Sequence, residues 1–228
     1  MNKPVGNIIR MAFQDSLPIF LGYLPVAFVF GVLTLQHGFP WYLAPLMSLF
    51  QYTGTTQFIA IGLIEMHSSL LLLFSTIVII DVRNSFYSLS VASRFPKAWP
   101  RKWYLTHGLT DETYSILTSR PSLGADDPAY CFYITALNHS YWVGSTLLGV
   151  WFGSYVSMTI PALDFVLPSL FLVLLSEQWR AAESNYPFVV ALAAGLACMA
   201  FAGSKMLLPA LAISATALFL RKDSSCAT

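Results

Sequence analysis

The sequence predicts an all-α membrane protein, a polytopic bundle of about seven transmembrane helices, six to eight at the limits. Composition is the first reason. Hydrophobic residues fill 56% of the 228 positions and charged residues only 10%, against roughly 25% charged in an ordinary soluble domain. A water-soluble particle of this size could not cover its surface with so few charges. The mean hydropathy of +0.64 agrees. Continuity of the apolar runs is the second reason. Residues 70–73 and 77–80 are unbroken Leu and Ile/Val stretches, whereas strands of an outer-membrane barrel would alternate polar with apolar. Inside lipid the backbone must satisfy its own hydrogen bonds, which leaves helices. A single integral membrane domain over 1–228 is expected, with an N-terminal segment 1–16 and a tail 221–228.

The first span begins near Leu17 and continues to about Leu35. It is long enough to cross a bilayer and no A-x-A-like cleavage site follows, so it reads as a retained helix and not as a signal peptide. Further apolar stretches cover roughly 41–64, 68–91, 130–153, 162–177, 186–203 and 205–220, several of them started or broken by Pro161, Pro168 and Pro209. Residues 41–64 read as a full span or as a re-entrant hairpin. Segment 103–118 reads as a polar helix inside the bundle or an amphipathic one at its surface. The adjacent Asp111 and Glu112 favour the surface or a partly buried position. The small-residue spacing of 141–153 echoes that of 23–31, and each is followed by an apolar helix with a break, at Pro45 to Ser48 and at Pro168-Ser169. That pattern fits an internal repeat with broken helices, although small residues in membrane helices also serve close packing alone.

Charge placement orients the chain. Seven spans with the N-terminus outside put Arg94, Lys97, Arg101, Lys102, Arg120, Arg180, Arg221 and Lys222 in the cytoplasm, with Lys3, Arg10 and Lys205 outside. A re-entrant 41–64 would bring the N-terminus inside and leave the 94–102 loop where it was. The net charge of +1 supplies no basic field for nucleic acid. Cys131, Cys198 and Cys226 have neither metal spacing nor the look of a disulfide framework.

Polar groups inside apolar runs are costly and are functional candidates by default. Asp81 and Arg83 end a charge-free run. Two residues apart on a regular helix they point about 200° apart, so either the helix breaks or each finds a partner elsewhere. Arg83 offers a fork of donors suited to a carboxylate, such as an amino acid carries; alternatively it snorkels to the interface with Asp81 balancing it. The run Gln51-Tyr52-Thr53-Gly54-Thr55-Thr56-Gln57 favours an unwound turn whose freed backbone can hold a polar substrate. A regular helix with back-bonded threonines and glutamines gluing neighbouring helices is the other reading. Asp111 and Glu112 could carry a proton if buried. His139, within Asn138 to Trp142, could relay one, while that cluster also reads as an interfacial belt of polar and aromatic residues at the opening of its span. No HExxH, GxSxG, Walker loop or GxGxxG is present, so an enzyme is not expected, nor any cofactor. Without an ATP-binding domain, active transport by this chain would run on an ion gradient or on the substrate itself.

Read in order, several motifs converge. Leu17-Pro18, Gly22-Tyr23-Leu24-Pro25 and Phe30-Gly31 come first, then Ser48 and Gly54-Thr55-Thr56-Gln57-Phe58, then Arg83 with Tyr87. Thr110-Asp111-Glu112, His139-Ser140-Tyr141-Trp142-Val143-Gly144, and Asp164-Phe165 with Pro168 and Phe171 follow. Together they resemble the AzlC family of bacterial branched-chain amino acid permeases, over roughly residues 15–201. Asn84 stands where family members often carry His. The resemblance implies a multi-pass permease of the bacterial inner membrane that exports valine, leucine and isoleucine, with methionine a further candidate. It also implies a small AzlD-type partner of about four helices and drive by the proton gradient. The expected substrate-binding residues are Thr53, Gly54, Thr55, Thr56, Gln57 and Arg83; the proton-coupling candidates are Asp81, Asp111, Glu112 and His139. Two rival readings stay open: a channel-like facilitator of small solutes, and a structural or regulatory membrane subunit without its own transport site.

Overall fold

The computed structural model describes residues 5–91, 99–119, 127–155, 165, 169, 172, 175–176, 179–180, 184–202, 209–210, 212–214 and 216–217, and all regular structure among them is helical. The helices are α1 (Val5–Gln36), α2 (Leu43–Phe50), α3 (Gly54–Glu65), α4 (Leu70–Val91), α5 (Trp99–His107), α6 (Asp111–Ser119), α7 (Pro128–Tyr155) and α8 (Tyr186–Ala202). They form two compact units, Met1–Ser69 with Ile77–Asp164 and Leu70–Thr76 with Phe165–Thr228. Among the described residues, α1 and α4 are long and apolar enough to cross a membrane. The first helix starts at Val5, so most of the expected N-terminal segment 1–16 is already helical.

The larger unit is built on α1 and α7, which run side by side in the same direction. Asp15 meets Tyr130, Tyr23 meets Trp142 and Phe28 meets Phe152, the partner's number rising along α7 as it rises along α1. Glycines permit the approach. A side chain at Gly31 would collide with the Thr146 carbonyl, and one at Gly149 with the Phe28 carbonyl. The same sequence offset separates Gly31 from Gly149 and Phe28 from Thr146, so the two collisions are counterparts. The small-residue echo thus corresponds to a reciprocal helix contact.

Residues 41–64 do not form one span. Chain direction reverses at 51–53, where Tyr52 takes a positive φ of 37°. On the way in, α2 runs against α7: Ser48 bonds Thr146 at 2.8 Å, and the Tyr52 ring lies 4.3 Å from His139. On the way back, α3 follows α1: Tyr52 packs with Tyr23, Phe58 lies on Phe30, and Glu65 reaches His37 at 2.9 Å. Both ends of the pair therefore lie at the C-terminal end of α1. At about 1.5 Å per residue, α2 and α3 are each far shorter than the roughly 30 Å of a bilayer core. Of the two readings of 41–64, the hairpin geometry that the re-entrant one requires is what the structure has.

Segment 103–118 is likewise two helices and not one. Gly108 lies so close to Thr135 that no side chain fits, and Thr110 begins α6 by accepting the Thr113 N–H, an N-cap arrangement. Asp111 and Glu112 occupy the first turn, where the helix dipole favours carboxylates. Of the expected surface or partly buried positions, the structure has the partly buried one. Leu105, Leu109 and Leu117 are buried in one cluster with Ile8, Ala12, Val91, Tyr130 and Ile134. That cluster joins the N-terminal ends of α1 and α7 to the C-terminal ends of α4 and α6, so this second hairpin opens opposite to the first.

A correction concerns 138–142. Because α7 begins at Pro128, these residues lie midway along a 28-residue helix. Asn138, His139 and Trp142 are buried, not spread in an interfacial belt.

In the smaller unit, the Trp179 ring stacks on Phe188 at 5.2 Å, and its indole N–H donates to Asn185 at 2.8 Å. On α8, Ala194 and Cys198 are buried. Most of 162–177 and 205–220, together with the tail 221–228, Pro161, Asp164, Pro168 and Phe171, lies outside the described residues.

Candidate functional site

The two hairpin turns approach one another beside the middle of α1. Tyr23 touches both: its ring packs with Tyr52 and Trp142, while its hydroxyl bonds Thr110 at 2.9 Å and donates to Glu112 at 2.8 Å. Where the turns converge on α4, an open cavity of about 480 Å³ forms. The first turn contributes Gln51 and Thr53, and α5 contributes Thr106 and His107. Asp81, Asn84, Ser85 and Ser88 line it from α4, with Ile77 and Phe50 as apolar wall. The α4 residues recur at helical spacing, so one face of that helix is polar where its neighbours expose Val78, Val82, Phe86 and Leu89.

Unbroken through this region, α4 sends its two charges to different partners. Arg83 Nη1 pairs with Asp111 Oδ2 at 2.9 Å. Asp81 Oδ2 accepts from Thr56 at 3.2 Å, and the same hydroxyl reaches the Thr53 carbonyl at 3.0 Å. The Asn84 amide donates to Thr53 Oγ1 at 3.4 Å. Among the described residues, the buried Gln51 Nε2 and Asp81 Oδ1 of the cavity wall have no hydrogen-bond partner. Unmatched donors and acceptors around one space are what a polar ligand requires.

The expected substrate residues divide. Thr53 lines the cavity. Gly54 lies under the Trp142 indole, where a side chain would come within 2.7 Å of the ring. Thr55 is half-buried in the first turn of α3. Thr56 and Gln57 are fully buried: Thr56 faces Asp81, and Gln57 accepts the Trp142 indole N–H at 3.0 Å. Arg83 is occupied with Asp111 and does not line the cavity. Of the proton candidates, Asp81 faces the cavity, Asp111 and Glu112 are held by Arg83 and Tyr23, and His139 sits between the Tyr104 hydroxyl at 3.2 Å and the Ser48 carbonyl at 3.3 Å. Gln51, Asn84, Ser88 and His107 were not among the expected site residues. The 81, 84, 85, 88 spacing is a signal in the sequence that marks three of the cavity's polar groups beyond Asp81.

This arrangement defines an all-helical protein whose paired short helices meet at a polar cavity beside longer ones. The chain belongs to the AzlC family: the family model described as AzlC protein matches residues 18–156. It is 36% identical to an uncharacterized membrane protein of Helicobacter pylori strain J99, over 94% of this chain and 97% of that one. With the branched-chain amino acid transport protein AzlC of Bacillus subtilis it shares 33% identity, over 97% of this chain and 89% of the relative. The inner membrane protein YgaZ of Escherichia coli is 31% identical, over 75% and 73%. No solved structure matches the chain.

Proposed function

We propose that this protein is a secondary-active exporter of branched-chain amino acids, valine, leucine and isoleucine with methionine beside them, in the bacterial inner membrane. The observation that carries the reading is the polar cavity where two oppositely directed hairpins meet, the kind of midplane site that broken helices form in transporters. The name of the Bacillus relative supplies the substrate class. In the cavity, Asp81 meets the ammonium group, Gln51 and Asn84 offer amide donors to the carboxylate, and Phe50 and Ile77 receive the aliphatic chain. Arg83 keeps the second hairpin against α4 through Asp111 in this state.

A re-entrant first hairpin gives a multi-pass topology with the N-terminus in the cytoplasm. Lys3, Arg10, Arg94, Lys97, Arg101, Lys102 and Arg120 then all fall on the cytoplasmic side, which strengthens the positive-inside bias. The first hairpin closes the outer path and the second the inner one. A small AzlD-type subunit is the proposed partner, with the proton gradient as drive. Valine counterflow into proteoliposomes tests the reading. Saturable exchange that leucine competes is expected; flux linear in valine concentration points to a pore, and no flux with or without the small partner points to a subunit lacking its own site.

A further inference from the structure

Among the described residues, five acidic or imidazole groups lie near the meeting point of the hairpins: His107 stacks with Trp103, and three others are engaged by protein. Asp111 is paired with Arg83, Glu112 accepts from Tyr23, and His139 bridges Tyr104 and Ser48. Asp81 is different. One of its oxygens accepts from Thr56 and Oδ1 is buried without a partner, as Asp111 Oδ1 is too; but no cation among the described residues contacts the Asp81 carboxylate, whereas Arg83 pairs with Asp111. Among the described residues, the charged and titratable groups near it are few: Arg83 on its own helix, Asp111 of α6 paired with that Arg83, and His107 across the cavity from α5. The first turn and α3 present only Gln51, Thr53 and Thr56, which are neutral. An ionised carboxylate left partly buried without a cation is costly, and a cation or a proton lowers the cost.

Resting on the amino-acid reading above, we infer that Asp81 is a single seat taken in turn by a proton and by the ammonium group of the substrate. Loading from the cytoplasm exchanges one for the other: the protonated carboxyl releases its proton to the cytoplasm as the ammonium group takes its place. On the outer side the amino acid leaves and a proton from outside returns to Asp81. One zwitterion moves out and one proton moves in, carrying one positive charge inward, so both the pH gradient and the membrane potential drive export. The empty, ionised carboxylate is the disfavoured state, which prevents the carrier from cycling without one occupant or the other. A proton suits the site better than a metal cation, because the neighbour bonded to the carboxylate, the Thr56 hydroxyl, meets it as a donor, where a metal would need further acceptors.

The test is valine binding to the full-length chain in lipid nanodiscs, from mildly acid to neutral pH, with proton release followed in weak buffer. On the acid side, affinity is expected to fall about tenfold for each pH unit, with about one proton released per valine bound. Asp81→Asn, which keeps the shape and the Thr56 bond, is expected to bind more weakly with no pH dependence and no proton release. A melting temperature close to the parent's verifies its fold, and the proton count on the parent needs no variant at all. Binding by the parent without proton release and with a flat pH profile overturns the shared seat while leaving the amino-acid reading intact. A pH profile unchanged in Asp81→Asn, or affinity that follows sodium concentration instead of pH, overturns it too. Absence of valine binding at every pH overturns the amino-acid reading itself, and this inference with it.

Discussion

Arg83 of α4 and Asp111 of α6 form a 2.9 Å ion pair that ties the second hairpin to the helix carrying half of the cavity's polar residues. Both side chains are more than a third exposed, and a pair of that exposure contributes about 1 kcal/mol or less to stability. Its removal should therefore leave the fold intact and act on transport. Arg83→Ala and Asp111→Ala are each expected to lower valine flux at least tenfold at unchanged expression. The double variant should be no slower than the slower single, since both remove one interaction. Full activity in Arg83→Ala would show that the second hairpin needs no such tie.

Close packing of α1 on α7 gives a sharper stability test. A methyl group at Gly149 meets the Phe28 carbonyl, a backbone atom that cannot swing aside, whereas one at Gly144 on the same helix meets nothing within 4 Å. Gly149→Ala is expected to destabilise by about 1–3 kcal/mol, as overpacking does. Gly144→Ala should lie within about 0.5 kcal/mol of the parent. Thermal melting in detergent compares the two. Equal melting temperatures would mean that the helices separate without cost at this crossing.

Gln57 separates structural support from recognition. It is fully buried and receives the indole N–H of Trp142, and Trp142 in turn covers Gly54 at the start of α3. Gln57→Ala leaves that N–H buried without an acceptor, at a cost of about 1–3 kcal/mol. The melting temperature should drop while the transport Km changes less than in Gln51→Ala, whose amide lines the cavity. A Gln57→Ala variant of parental stability with a raised Km would return Gln57 to the substrate.

Much of this is legible in the sequence, and the residues say why the rest is not. The apolar runs mark the helices, and the polar stretch around Gly54 marks the break between α2 and α3. The two-residue spacing of Asp81 and Arg83 leaves a broken helix or separate partners, and the structure has separate partners on an unbroken helix. What pattern cannot convey is direction. An apolar stretch the length of 41–64 has the length of a span, and only the return of Glu65 to His37 reveals that it goes back the way it came. The partner of Arg83 is hidden for a similar reason, because Asp111 belongs to a different helix brought in by folding. The cluster at 138–142 looks interfacial because aromatic and polar residues together are what an interface uses. A helix start at Pro128 moves it to the middle.

Re-entry makes the most direct prediction of topology. Trp41 precedes α2 and Met66 follows α3, and both are well exposed, at 63% and 60%. In a full span they would face opposite compartments; in a re-entrant hairpin they face the same one. Single-cysteine reporters at these two positions, in a chain whose native cysteines are replaced by serine, should both react with a membrane-impermeant maleimide added outside intact cells. A reporter at Ser119, at the end of α6 in the opposite-facing hairpin and also exposed, should react only after the membrane is opened. Labelling of Trp41 and Met66 from different sides would restore 41–64 as a crossing. It would also reverse the direction of α7 relative to α1, and the Gly31 to Gly149 contact of two parallel helices could not then form. The labelling therefore tests the hairpin and the helix pair together.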